Sequence, residues 1–135
     1  MNEEEIRELL RNHQNLQPFS VIDQPREIPR TIVSNGLWIK GGVMQHCIRV
    51  QYNRYGSPLV VEHDKLIELL RRSVENNRIY QNIVLLHYVQ AQGRQTIVPP
   101  CSVNIIGMLF VAAGLAMRHP NWQYQYVINH AVNFN

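Results

Sequence analysis

The sequence predicts an α+β fold: a mostly antiparallel sheet of about five or six strands packed by two main helices, with a short N-terminal helix and a proline-rich arm ahead of it. Three observations carry this expectation. Residues 31–52 alternate around a Gly41-Gly42 pair, residues 64–77 carry an apolar stripe at helical spacing, and residues 122–134 alternate to the end of the chain. With 135 residues, 45% hydrophobic and 17% charged, the chain can close one core. Residues 31–135 are therefore read as a single domain and residues 1–30 as helix and arm.

Residues 3–13 should form the first helix. Asn2 is placed to cap it, Glu5 to close a capping box, and Ile6, Leu9 and Leu10 share one face. From Asn12 to Pro29 the prolines at 18, 25 and 29 lie among polar residues and hold the chain extended, outside a regular ladder. That segment can dock on its own core or on another subunit.

Thr31 to Lys40 and Val43 to Tyr52 read as a hairpin turned by the two glycines. Met44, His46, Ile48, Val50 and Tyr52 are expected on its core face, and Val43, Gln45, Cys47, Arg49 and Gln51 on the other. A turn over Tyr55-Gly56-Ser57-Pro58 leads to a third strand, Leu59 to Val61. Asp64 then caps a helix to Asn77, with Leu66, Ile67, Leu69, Leu70 and Val74 inward.

Ile79 to Gln92 is apolar on both faces and reads as a central strand, turned by Gln92-Gly93-Arg94 into a further strand, Gln95 to Val98. Ser102 should cap a helix from Val103 to about Arg118 that is apolar nearly all round. A glycine inside a helix costs about 1 kcal/mol relative to alanine. Gly107 and Gly114 therefore predict close approach of another element, and Gly107, Val111 and Gly114 are the expected oligomer interface. The run from Cys101 to Met117 is shorter than the ~20 residues of a membrane span. The last segment, Trp122 to Phe134, is read as one long strand with an apolar and an amide-rich face.

Charge narrows the function. The net charge is only +3, but no carboxylate follows Glu75, so Arg78, Arg94 and Arg118 are unopposed in the sequence, as are Arg30, Lys40, Arg49 and Arg54 between Glu27 and Glu62. Arg49, Arg54, Tyr55, Arg78 and Arg94 are the candidates for binding RNA, single-stranded nucleic acid or another polyanion, because arginine forks hold phosphate and tyrosine rings stack on bases.

Catalysis has thinner support. Cys47, beside Arg49, is the one candidate nucleophile for a Cys-dependent hydrolase, and no cysteine signature surrounds it. The six histidines lack metal-ligand spacing, and no glycine-rich phosphate loop implies a cofactor. Two cysteines, and Glu3-Glu4-Glu5 where a secretory leader would be basic and then apolar, point to an intracellular chain, cytoplasmic or nuclear.

The leading expectation is a non-catalytic binding and assembly protein, a homo-oligomer that engages a protein partner. Its size and composition suit a viral or mobile-element accessory or structural protein.

Overall fold

The computed structural model describes residues 1–94 and 97–134. The chain is α+β, with two antiparallel sheets and four helices among the described residues. Helix α1 (Glu3–Asn12) starts with the expected capping box: Asn2 Oδ1 accepts from the Glu5 amide at 2.9 Å and Glu5 Oε1 from the Asn2 amide at 3.1 Å. Ile6 and Leu10 are buried, and Leu16 follows them inward from a 3-10 turn at Gln14–Leu16. The helix lies on its own core, tied to the second helix through Arg7–Asp64 and Arg71–Glu3, each 2.6 Å.

The arm is less irregular than its prolines predict. Strand β1 (Val21–Asp23) fits between Pro18 and Pro25 and pairs with β2 (Arg30–Lys40). The β2–β3 hairpin, with β3 at Val43–Gln51, turns on Gly41 and Gly42, whose φ of +61° and +79° suit the tight turn that matches strand twist. Strand β4 (Leu59–Glu62) closes a sheet of order β1-β2-β3-β4.

Helix α2 (His63–Glu75) buries Leu66, Ile67, Leu69 and Leu70. Its cap position is Glu62 rather than Asp64, whose carboxylate takes Arg7 instead.

Several expectations fail, each for a local reason. Residues 79–92 are not one strand: β5 (Ile79–Tyr80) is followed by helix α3 (Asn82–Ala91). Val84 and Leu85 are buried with Tyr88 and Val89 half-buried, while Ile83, His87 and Gln90 face water, a helical period that an apolar run hides. Of the expected strand Gln95 to Val98, residues 95 and 96 lie outside the described residues, and Ile97 and Val98 belong to no strand.

The apolar helix is α4 (Pro100–Ala112), with Pro100 at its first turn and Ser102 already inside it. It ends six residues early, because Gly114, at φ +73°, is a terminator and not an interior glycine. The Gly114 amide donates to Val111 O at 3.0 Å and the Leu115 amide to Phe110 O at 2.9 Å, the paired bonds of a glycine helix stop.

Strands β6 (Ala116–Arg118) and β7 (Tyr126–Ile128) then build a second sheet, ordered β5-β7-β6. The predicted long C-terminal strand shrinks to those three residues of β7. Past them Asn129 bends the chain, its Oδ1 accepting from the Ala131 amide at 2.9 Å. The single sheet of five or six strands is thus replaced by sheets of four and three.

Residues 103–110 of α4 are all buried, enclosed by β1 and the 3-10 turn, by α3 and by β6. The close approach at Gly107 is internal: a Cβ there would overlap Cε2, Cζ and Cδ2 of the Tyr126 ring. An added Cβ at Gly114 meets nothing, and Val111 packs on the chain's own core. The reason for expecting an interface at Gly107, Val111 and Gly114 is satisfied within one chain. Among the described residues no helix is long and apolar enough to cross a membrane.

Candidate functional site

The cationic residues singled out in the sequence are held in different places. Arg49 donates from Nε to Ser34 Oγ at 2.8 Å and lies 3.8 Å from the ring centroid of Trp38, so its guanidinium is engaged in packing. Arg78 donates from Nη2 to the carbonyls of Asn129 (2.8 Å) and Val132 (2.6 Å), fixing the segment after β7. Arg54 and Tyr55 sit exposed in the β3–β4 turn, and Arg94 is exposed just past α3. Cys47 is buried, and burial pushes its thiol up, with Glu62 adding to the effect; both act against the thiolate a nucleophile needs.

The far half of the hairpin gathers several exposed apolar side chains in one place. β1 pairs with β2 only at Arg30 and Thr31, and β4 covers β3 only from Cys47 to Val50. From Gly36 to His46 the chain is a two-stranded ribbon with both edges unpaired among the described residues.

Leu37, Trp38, Ile39, Val43 and Met44 are 40–62% exposed there. The pairs Leu37–His46 and Ile39–Met44 share one face, and Trp38–Gln45 and Lys40–Val43 the other, so the ribbon is apolar on both sides. Exposed edges are ordinarily guarded by charge or proline. The one formally charged side chain of this ribbon, Lys40, folds back onto Glu62 Oε1 at 2.7 Å and Val60 O at 3.1 Å. The hairpin's placement was legible in the sequence, but its overhang was not: Met44 was expected on the core face and is 61% exposed, because no helix reaches it.

A second surface is a groove of about 810 Å³ lined by Arg26, Arg30, Tyr52 and Tyr124, with Pro25, Glu27 and Ile28. Of its lining residues, Arg30 is tied to Asp23 behind the groove: Asp23 accepts from Asn104 Nδ2 at 2.8 Å and Arg118 Nη2 at 3.0 Å, while Arg30 Nη1 stands 3.8 Å away. Two guanidiniums thus share one carboxylate, and Arg30 Nε and Nη1 are buried with no hydrogen-bond partner.

Tyr126 completes the network by donating its hydroxyl to Asn104 Oδ1. Tyr124 holds φ +61°, a left-handed backbone that an aromatic residue rarely adopts and that recurs where ligands are clamped. Sequence reasoning missed Arg26 and placed Tyr124 on a strand. The available signal was the pair Arg26 and Arg30 either side of Glu27 in the proline-rich arm, and it is weak because Asp23 and Glu27 balance the two cations in the sequence.

One buried histidine also stands out. His63, first residue of α2, sets Nε2 2.8 Å from Asn35 Oδ1. Asn35 Nδ2 donates to Leu10 O (2.8 Å) and Leu16 O (3.2 Å), which turns its oxygen to the ring and makes Nε2 the protonated nitrogen. Nδ1 is buried and unpartnered. Burial above all, then His46, Arg11 and Arg7, pull the imidazole down to about 4, against a weaker pull from Asp64. Among the described residues no three histidine, cysteine or acidic side chains converge to hold a metal.

No protein-family model, no curated protein and no solved structure matches this chain.

Proposed function

We propose that this chain is a non-catalytic binding and assembly protein that homo-oligomerises through the distal β2–β3 ribbon. The observation that carries the reading is the apolar ribbon from Gly36 to His46, whose single lysine is neutralised by Glu62, with two open edges among the described residues. A free antiparallel edge is self-complementary under a two-fold axis, so a second copy supplies every backbone donor and acceptor it lacks. Lys40, turned back to Glu62, leaves no like charge to oppose such pairing.

The test is the mass in solution. Light scattering at micromolar concentration should give a value above the 15.8 kDa of one chain. Leu37→Glu with Val43→Glu should return it to one chain with unchanged helix content, since both side chains are exposed. A native chain that scatters as a monomer ends the reading.

The Arg26, Arg30, Tyr52 and Tyr124 groove favours a second function, binding of single-stranded RNA or DNA. Arginines supply phosphate contacts, and an exposed ring gives a base its stacking platform, about 1–3 kcal/mol each. Fluorescence anisotropy with a labelled RNA oligomer at low salt should show affinity falling about tenfold or more in Arg26→Ala with Tyr124→Ala, a loss on the scale of one stacked base. Equal affinity in native and variant chains would remove it.

A further inference from the structure

Both lysines of the chain meet Arg94 in one small recess. Lys40, from the end of β2, and Lys65, from the first turn of α2, line a cavity of about 60 Å³ with Glu62, Tyr88, Gln92 and Arg94. That volume is the room of a few water molecules and admits one compact group.

Three cations face one carboxylate. Glu62 is taken by Lys40 at 2.7 Å, and Lys40 has Val60 O as a second acceptor at 3.1 Å. Lys65 has no oxygen acceptor among the described residues; its ammonium lies 5.7 Å from the ring centroid of Tyr88. Arg94, on the open side, has no carboxylate within ion-pair distance among the described residues.

A half-buried ammonium without an acceptor is an unfavourable arrangement that an entering anion relieves. The strain on Lys65 is visible in its proton affinity. Burial lowers it most, Glu62 raises it, and Lys40 and Arg94 lower it further.

We infer that this recess is a binding site for a phosphate-type oxyanion, either free phosphate or the terminal group of a phosphomonoester, held between Lys65 and Arg94. The excess of two positive charges suits a dianion, where a carboxylate would neutralise only one. An ammonium with three donors and a planar guanidinium fork match the oxygens of one tetrahedral group. The recess shares Lys40 with the ribbon, but Lys65 and Arg94, the two residues that hold the anion, lie outside both the ribbon and the arginine and tyrosine groove, so the titration below tests the site without testing either functional reading.

Isothermal titration of the full chain with inorganic phosphate, at pH 7 and constant ionic strength, tests it. Saturable binding of one phosphate per chain is expected, weakened at least tenfold by Lys65→Gln and by Arg94→Gln and unchanged by Arg54→Gln. Arg94 is exposed, so its variant keeps the fold and the test does not depend on Lys65→Gln being stable.

A parallel titration with glycerol 3-phosphate distinguishes the sources: binding of both ligands assigns the site to phosphomonoesters, and binding of phosphate alone assigns it to the free ion. Absence of saturable phosphate binding, equal binding in the Arg94→Gln chain, or equal weakening by Arg54→Gln overturns the site.

Discussion

As the pH falls from 6.5 towards 4, the folded chain should lose about 3 kcal/mol of stability through His63 alone, at about 1.4 kcal/mol for each unit by which folding depresses its pKa. The folded imidazole titrates near 4 and the unfolded one near 6.5, so in this window the unfolded chain binds the extra proton. Stability is therefore complete above 6.5 and drains away as the solution is acidified.

The cause is geometric: a ring 1% exposed, with Nε2 committed to Asn35 and a bare Nδ1 that gains a proton and no acceptor. His63→Gln keeps an amide donor for Asn35 and cannot titrate. Urea unfolding of both chains at pH 7, 5.5 and 4.5 should show the native chain losing ground to the variant as pH falls. Parallel curves would refute the assignment, because every other titrating group is common to the two.

Gly107→Ala should lower the thermal midpoint by about 5–10 °C without altering the mass in solution. A methyl in mid-helix gains about 1 kcal/mol of helix propensity, whereas forcing atoms into a filled core costs about 1–3 kcal/mol. Here the steric side prevails. The ring in the way belongs to Tyr126, which is 1% exposed, packs 5.9 Å from Tyr80 and is anchored by its hydroxyl to Asn104.

Retreat of the ring also breaks the chain of bonds from Tyr126 through Asn104 to Asp23, at about 1 kcal/mol per hydrogen bond. A net loss of about 2 kcal/mol corresponds to the stated shift for a domain of this size. Calorimetry reads it. A midpoint equal to or above the native one would mean that the space beside Tyr126 is real, and a drop in mass would return Gly107 to an interface.

Elements with their own local signal were legible in the sequence. Asn2 and Glu5 announce α1, Gly41-Gly42 announces the hairpin, and the leucine and isoleucine stripe announces α2, since each depends on residues within a turn or two of one another. The misreadings arose where local signals were ambiguous. Ile83 to Val89 is too apolar to display a period, and the same glycine chemistry at 107 and 114 serves ring packing at one position and helix termination at the other.

The candidate sites were legible only as an inventory of cations. Which arginine is free depends on acceptors far along the chain: Arg78 is occupied by carbonyls 51 and 54 residues away, and Arg49 by a serine on the adjoining strand. Lys65 and Arg94 stand out only once the fold has brought them to Lys40 and Glu62.

The ribbon's two borders are not equivalent, one belonging to β2 and the other to β3. Union of one border with its identical copy about a two-fold axis halts at a closed pair provided the other border stays unused, whereas union of unlike borders leaves a β2 border at one end and a β3 border at the other and lengthens into a fibre. Which geometry operates would be written in how mass responds to concentration, levelling off in the first case and climbing without limit in the second.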